Sequence, residues 1–296
     1  QTLTVHNCQD LTNLNLNDCC SLEFVTIQIC SQLTSIPYQL FNIRNLYFLN
    51  LSCHSLRFLP DNFGNLSNLQ HLILSDGNFQ KLPASISTFI NLKILKLLSM
   101  NIHELSPEIG HLESLTYFRM DDCRLIKTLP AQLSKLVNLT RLDLINCHSL
   151  ARVPANLITL PQLTIFQCHY NNLKIIPTEI NHYLTNKYVH LKELSLVSIN
   201  LNNNSWSPDD FLHLNNLQIL DLSYNNFEKL PVEIGLLGSL ITLKIEGCQN
   251  LTMIPNSIFK LQQLEELNLA NCQNLTKLPS SIHSKDTLKK LKILNL

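Results

Sequence analysis

The chain has 296 residues, with 22 Lys+Arg balanced by 22 Asp+Glu and a hydrophobic content of 45%. That balance offers no basic surface of the kind nucleic acids or anionic membranes require. No apolar run approaches the roughly 18 residues of a membrane span, so membrane insertion is not expected. No signal peptide is recognised either, since Gln1-Thr-Leu-Thr-Val5 already reads as a strand.

Three short phrases open the chain at a step of eleven: Leu3-x-Val5-x-x-Cys8, Leu14-x-Leu16-x-x-Cys19 and Val25-x-Ile27-x-x-Cys30. Eleven residues are too few for a full coil, whereas two steps make 22. Residues 3–24 are therefore read as one coil, with a second extended segment on its outer side in place of a helical turn. A differently folded cap is the alternative.

From Val25 the beat lengthens. Strand starts fall at Val25, Leu49, Leu72, Leu95, Phe118, Leu142 and Phe166, in steps of 23 or 24. The underlying phrase is clearest further on, at Leu217–Pro231. Leu220 and Leu222 stand two apart, so in a strand both face one side. That side must be the core, because Asp221 between them cannot be buried cheaply. Asn225 turns the chain and can bond backbone groups left open at the strand end. Phe227 and Leu230 return to the core, and Pro231 fixes φ for the next segment. Ile234 and Leu237 follow at intervals of three, as in a 3-10 or short helical turn. One such coil cannot close a core alone, so neighbours must stack. Pro37, Pro60, Pro83, Pro130, Pro154, Pro177, Pro231, Pro255 and Pro279 share one slot; Ser106 takes it once, with Pro107 displaced by one.

The cysteines follow the same beat. Cys8, Cys19, Cys30, Cys123, Cys147, Cys248 and Cys272 fall five residues after a strand's first core position, where Asn225 also sits. Cys168 takes a core position, and only Cys20 and Cys53 fall outside the register. Seven thiols in one structural slot read as a ladder of small buried side chains, not as a disulfide framework or metal site. A reducing, intracellular compartment is expected from this.

Two steps break the rhythm. Phe166 to Leu194 is 28 residues, with the surplus in Asn181–His190; Leu194 to Leu220 is 26, with the surplus around Asn202–Trp206. Both insertions should bulge between strands, and Tyr183, Tyr188 and Trp206 are their candidate contact residues. Regular strand starts are then read at Leu243, Leu267 and Leu291, with Lys285 in place of an expected leucine. Neither end shows a polar cap, which solenoids need, so the chain is read as part of a longer protein. The whole is read as one solenoid: residues 1–24 an irregular coil, 25–180 regular, 181–216 two repeats with insertions, 217–296 regular again.

The Leu-Pro-x-x-Ile-x-x-Leu return at each coil resembles the intracellular "LPxxIxxL" type of leucine-rich repeat (LRR). Plant Ras-group LRR proteins, Ras-pathway LRR scaffolds and bacterial LRR effectors are of this kind. The resemblance implies an α/β solenoid: a horseshoe of about twelve or thirteen coils, with a parallel β-sheet on the concave face and short helical or 3-10 turns on the convex face. It also implies a binding role. The chain departs from the consensus turn asparagine at His54, Gly77, Met100 and Ile199, where the hydrogen bonding is left open.

No catalytic constellation is found, and no cofactor or metal is expected. The six glycines are scattered singly, and neither HExxH nor GxSxG occurs. His111-Leu-Glu113 and Asp121-Asp122 resemble acid/base pairs but occupy solvent-facing slots. The informative residues are strand positions facing away from the core. They cluster mid-chain as Tyr117, Arg119, Asp121 and Asp122, then Arg141 and Asp143, then Gln167, His169 and Tyr170. Tyr and Arg suit interface hot spots. Exposed apolar neighbours (Tyr47, Phe48, Ile73, Ile94, Leu98, Ile145, Ile165) extend this patch. Asp143, on the outward face, is expected to matter little for stability. The reading is a non-enzymatic, monomeric interaction module that binds another protein, placed in the cytoplasm, or in a host cytosol for a secreted effector. The alternatives are the recognition arm of a larger enzyme, such as a ubiquitin ligase or kinase, and an extracellular receptor or adhesin.

Overall fold

The structure is a computed structural model that describes residues 1–52, 54–56, 58–154, 157, 160–173, 190–206, 208–279 and 288–296. The chain divides into two compact units, residues 1–154 and 155–296. The first unit carries β1 (Thr2–His6), β2 (Phe24–Gln28), β3 (Phe48–Ser52), β4 (His71–Ser75), β5 (Ile94–Leu98), β6 (Tyr117–Asp121) and β7 (Arg141–Ile145). The second carries β8 (Ile165–His169), β9 (Glu193–Ser195), β10 (Ile219–Asp221), β11 (Thr242–Lys244), β12 (Glu266–Asn268) and β13 (Ile293–Asn295).

Within each unit every strand pairs in parallel with the next in sequence, core residue opposite core residue. In the first unit the register runs Leu3, Val25, Leu49, Leu72, Leu95, Phe118, Leu142. In the second it runs Phe166, Leu194, Leu220, Leu243, Leu267, Leu294. The last of these corrects the sequence reading. Leu294, not Leu291, aligns with Leu267, because Leu288-x-x-Leu291-x-x-Leu294 repeats the LxxLxxL lead-in to the strand. Strand alternation then divides the sheet into a buried and an open face, as the pattern of β4, β5 and β6 shows.

Among the described residues, the opposite side of seven coils is made by five-residue 3-10 turns. In the first unit they span Tyr38–Asn42, Asp61–Asn65, Ala84–Thr88, Pro107–His111 and Ala131–Lys135; in the second, Val232–Leu236 and Asn256–Lys260. Proline precedes most of them at φ between −55° and −72°. Its fixed φ launches the turn, and its carbonyl takes the first bond, as from Phe63 N–H to Pro60 O at 2.9 Å. Phe41, Phe63 and Phe89 stack edge-on at 5.9 and 5.2 Å behind these turns, all three fully buried. Residues 7–23 contain neither a ladder strand nor a 3-10 turn, so the first coil closes with irregular chain.

Among the described residues, eleven of the strands end in a sharp bend whose residue lies in the left-handed region. In the first unit these include Asn7, Ile29, Asp76, Ser99, Asp122 and Asn146; in the second, Tyr170, Ser198, Tyr224, Gly247 and Asn271. Each stands four residues after its strand's first core residue. Asn and Asp tolerate this backbone; Ile29, Tyr170 and Tyr224 do so at a steric cost. The next residue is the shared Asn/Cys slot. Asn225 is buried and donates to the carbonyls of Leu196, Leu222 and Ser223 at 2.8, 2.8 and 3.2 Å. Its Oδ1 accepts from the amides of Ile199 and Leu201 at 3.1 and 3.0 Å. Ile199, a departure from the consensus, is thus served by its neighbour. The amide of Gly77, another departure, reaches Met100 Sδ at 3.3 Å.

The slot cysteines make weaker versions of the same bond. Cys147 Sγ donates to Ile145 O at 3.3 Å, and Cys248 Sγ to Leu222 O at 3.4 Å. The nine described cysteines are free thiols; Cys53 lies outside the described residues. Burial pushes the thiols of Cys168 and Cys248 up to about 12. They stay protonated at neutral pH and are poor nucleophiles.

Two outcomes follow. Leu144→Ala empties a fully buried strand position and should cost roughly 2–5 kcal/mol in urea denaturation. Alkylation at pH 8 should leave Cys168 and Cys248 slow in the native state. After denaturation without reductant, mass spectrometry should find all ten cysteines modified; native disulfides would contradict this.

Candidate partner-binding surface

Tyr117, Arg119 and Asp121 occupy the open-face positions of β6, and Arg141 and Asp143 those of β7. Parallel pairing sets Tyr117 opposite Arg141 and Arg119 opposite Asp143. At the spacing of paired strands these side chains must touch. They form one network around Asp143. Tyr117 O–H donates to Asp143 Oδ2 at 2.7 Å, and Arg141 Nε reaches its two oxygens at 3.0 and 3.1 Å. Arg119 Nη1 stands 3.8 Å from the same carboxylate and gives Nη2 to Asp121 at 2.5 Å. Asn146 Nδ2 donates to the other oxygen of Asp121 at 3.1 Å.

This arrangement overturns the expectation for Asp143. It points to the open face, yet its exposure is 0% because Tyr117 and the two arginines close over it. A buried carboxylate is costly unless paired, and here its charge is met from three directions. The two arginine side chains keep 31% and 37% exposure. The cluster is therefore a satisfied, rigid platform with partly open cationic edges.

The tyrosine at its centre is held from both sides. Lys96 Nζ lies 5.4 Å and Arg141 Cζ 5.3 Å from the Tyr117 ring centroid. Burial and the bond to Asp143 raise the Tyr117 pKa, so the phenol stays a donor. Burial works against the charge on Arg119, but hydrogen bonds to Asp121 and Tyr117 outweigh it and raise its pKa. Asp122 pairs with Arg124 Nε at 2.6 Å at the rim. Asp121 and Asp122 each have a cationic partner, which is not the geometry of a proton-sharing dyad.

In the second unit β8 presents Gln167, His169 and Tyr170. Gln167 Nε2 donates to Glu193 at 2.6 Å, and His169 Nε2 is 2.7 Å from Ser195 Oγ. Tyr170 stands 46% exposed in its left-handed bend. The insertion residues Tyr183 and Tyr188 lie outside the described residues. Trp206 is described, and its ring packs 4.9 Å from that of fully buried Phe227, anchoring the loop to the core.

Sequence reasoning missed several members of these surfaces. Lys96 sits in register with Arg119, so a step of 23 back from that arginine would have found it. Tyr224, 49% exposed, bonds Glu246 through its hydroxyl at 2.8 Å. Gly247, at φ +66°, makes room for its ring: a Cβ there would lie 2.5 Å from Tyr224 Cδ1. Among the described residues no group of three or more His, Cys, Asp or Glu is placed to hold a metal. No helix among them is long and apolar enough to cross a membrane.

A family model described as a leucine-rich repeat region matches residues 178–296. The leucine-rich repeat domain of the type III effector XopL is 25% identical, over 83% of this chain and 75% of that one, at a TM-score of 0.56. The TLR13–ssRNA13 complex matches at 24% identity and TM-score 0.73, over 93% of this chain and 43% of the receptor. The functional domain of InlJ from Listeria monocytogenes, described as including a cysteine ladder, matches at 20% identity and TM-score 0.66. That match covers all of this chain and 62% of InlJ. A search of curated proteins finds no match.

The network yields a sharp expectation. Asp143→Ala leaves Arg119 and Arg141 facing each other and Tyr117 without its acceptor. It should cost about 1–3 kcal/mol in urea denaturation, the range for leaving buried polar partners unsatisfied. A loss under about 0.5 kcal/mol, usual for a surface site, would mean the carboxylate is not enclosed.

Proposed function

We propose that this chain, a leucine-rich repeat protein, works as a recognition module that binds another protein through the open face of its sheet. In the first unit the contact surface is Tyr117, Arg119, Asp121, Asp122 and Arg141, resting on Asp143. In the second, Gln167, His169 and Tyr170 add their own contacts. The observation that supports this most is the enclosed Asp143 network. It holds an aromatic ring and two guanidinium groups in fixed positions while leaving them partly open. Little side-chain entropy is then lost on binding. Both signs of charge are present, so a partner of mixed charge suits it, with moderate salt dependence.

The mechanism is recognition without chemistry, in a reducing compartment that suits the free thiols. Likeness to the XopL domain supports action as an effector's recognition domain inside a host cell, with any catalytic part elsewhere in a longer protein.

The test must leave Asp143 with its closest partners, Tyr117 and Arg141. Removing Arg119 and Arg141 together would unpair a buried carboxylate, so loss of binding would be ambiguous. Arg119→Gln with Asp122→Asn and Tyr170→Asn is cleaner, because asparagine suits the left-handed bends at 122 and 170. Partners captured from host lysate by the parent chain should bind this variant at least about tenfold more weakly, equivalent to about 1.4 kcal/mol. The melting temperature should hold. Normal binding by this variant, with binding lost on deletion of residues 181–190, would move the site to the insertion.

A further inference from the structure

At the strand-entrance side of the first unit lies a cavity of about 410 Å³, lined by Glu23, Phe24, Asn45, Tyr47, Asn68 and Gln70. It is separate from the Asp143 cluster. Phe24 opens β2, and Tyr47 immediately precedes β3. Their ring centroids stand 5.7 Å apart with planes at 50°, a wedge of two rings in contact, and Phe24 remains 38% exposed. The aromatic row continues into Phe48, 6.1 Å from Phe24, and His71, 5.0 Å from Tyr47.

The polar part of the lining is rich in acceptors. Asn68 spends its Nδ2 on the carbonyl of Arg44 at 2.8 Å, and Asn45 directs its own at Cys20 O at 3.5 Å. Each amide keeps its oxygen acceptor, beside one further N–H donor, to offer a ligand. Glu23 supplies a formal negative charge. Its side chain is 55% exposed. No lysine or arginine lines the cavity. At the far end of the row burial, then Lys93 and Lys96, lower the pKa of His71, so that ring is neutral at neutral pH.

We infer that this cavity is a subsite for an arginine side chain of the protein partner. Aromatic faces carry negative quadrupole charge and attract a cation lying over them. A guanidinium is flat enough to lie on the Phe24–Tyr47 wedge, and its five N–H groups match the surrounding acceptors. A lysine ammonium would satisfy the charge but not the flat contact. The inference rests on the reading that the partner is a protein, but on none of the residues around Asp143.

Nα-acetyl-argininamide is titrated into the full chain and followed by aromatic NMR. Saturable shifts are expected at Phe24 and Tyr47. The citrulline analogue, of the same shape without charge, should bind at least about tenfold more weakly. Glu23→Gln should weaken binding several-fold, and Phe24→Leu with Tyr47→Leu should abolish it. If the double variant fails to fold, the citrulline and Glu23→Gln arms decide. Equal binding of the citrulline analogue, or unchanged binding by Glu23→Gln, would overturn the assignment. Arg119→Gln should leave this titration unaltered, so failure here and failure of the Tyr117 surface are told apart.

Discussion

The bend that closes a strand leaves side chains such as Tyr170 and Tyr224 at the surface, but the slot residue after it is buried from Gly77 to Cys248, where water cannot serve the backbone groups around it. An unpaired buried amide or carbonyl costs about 1–3 kcal/mol, and the cost recurs at every coil. Asn225 shows the fullest answer, with three bonds given and two received, spanning the coil before its own. The cysteines at 123, 147 and 248 give a smaller one, a single weak S–H donor in an apolar body. What a cysteine loses in hydrogen bonding it recovers partly as buried apolar area, since all three are completely buried. Where neither residue fills the slot, a neighbouring coil serves it, as Met100 Sδ does for Gly77 and Asn225 Oδ1 for Ile199.

The same constraint has a second form at the strand entrance. Asn68, Asn91 and Asn138 donate to Arg44 O, Ser67 O and Glu113 O at 2.8, 2.9 and 2.8 Å. Each bond ties a coil to the one before it, so these asparagines act between repeats. Thr116 and Thr140 add hydroxyl bonds to Lys93 O and Thr116 O nearby. Side chains that look like decoration at one position of a repeat are here the links between repeats.

The strand register was legible because its signal is redundant: period, alternation and the turn slot all place Leu49, Leu72 and Leu95 opposite one another. It slipped only at Leu294, where Leu288, Leu291 and Leu294 offer three equally spaced choices and the preceding step is irregular. The open-face residues were legible as positions but not as an environment. That Asp143 faces outward follows from alternation. That it is enclosed follows from what stands beside it, a tyrosine and two arginines long enough to close over a short carboxylate. Burial of a polar side chain on an open face depends on neighbours about 24 residues away, which a reading within one repeat does not weigh. Tyr224 escaped for a related reason, since only the absence of a side chain at Gly247 gives its ring a place.

These features separate two demands on one strand. Inward positions are held to Leu, Ile, Val, Phe, Met or Cys by close packing with the coils on either side. Outward positions are free of that demand, but a charge placed there still has to be solvated or paired. On β6 and β7 the pairing is internal, Arg141 and Tyr117 answering Asp143 and Arg119 answering Asp121. On the proposed reading, a partner approaching this surface meets groups whose desolvation has been partly offset by the fold itself. The open edges of Arg119 and Arg141 are then available for contacts that specify the partner. A cluster with the same composition but no enclosed carboxylate would hold its arginines less firmly, and ordering them would draw on the binding free energy. On the proposed reading, Asp143 serves recognition through the side chains it fixes, even though its exposure leaves it no surface with which to touch a partner.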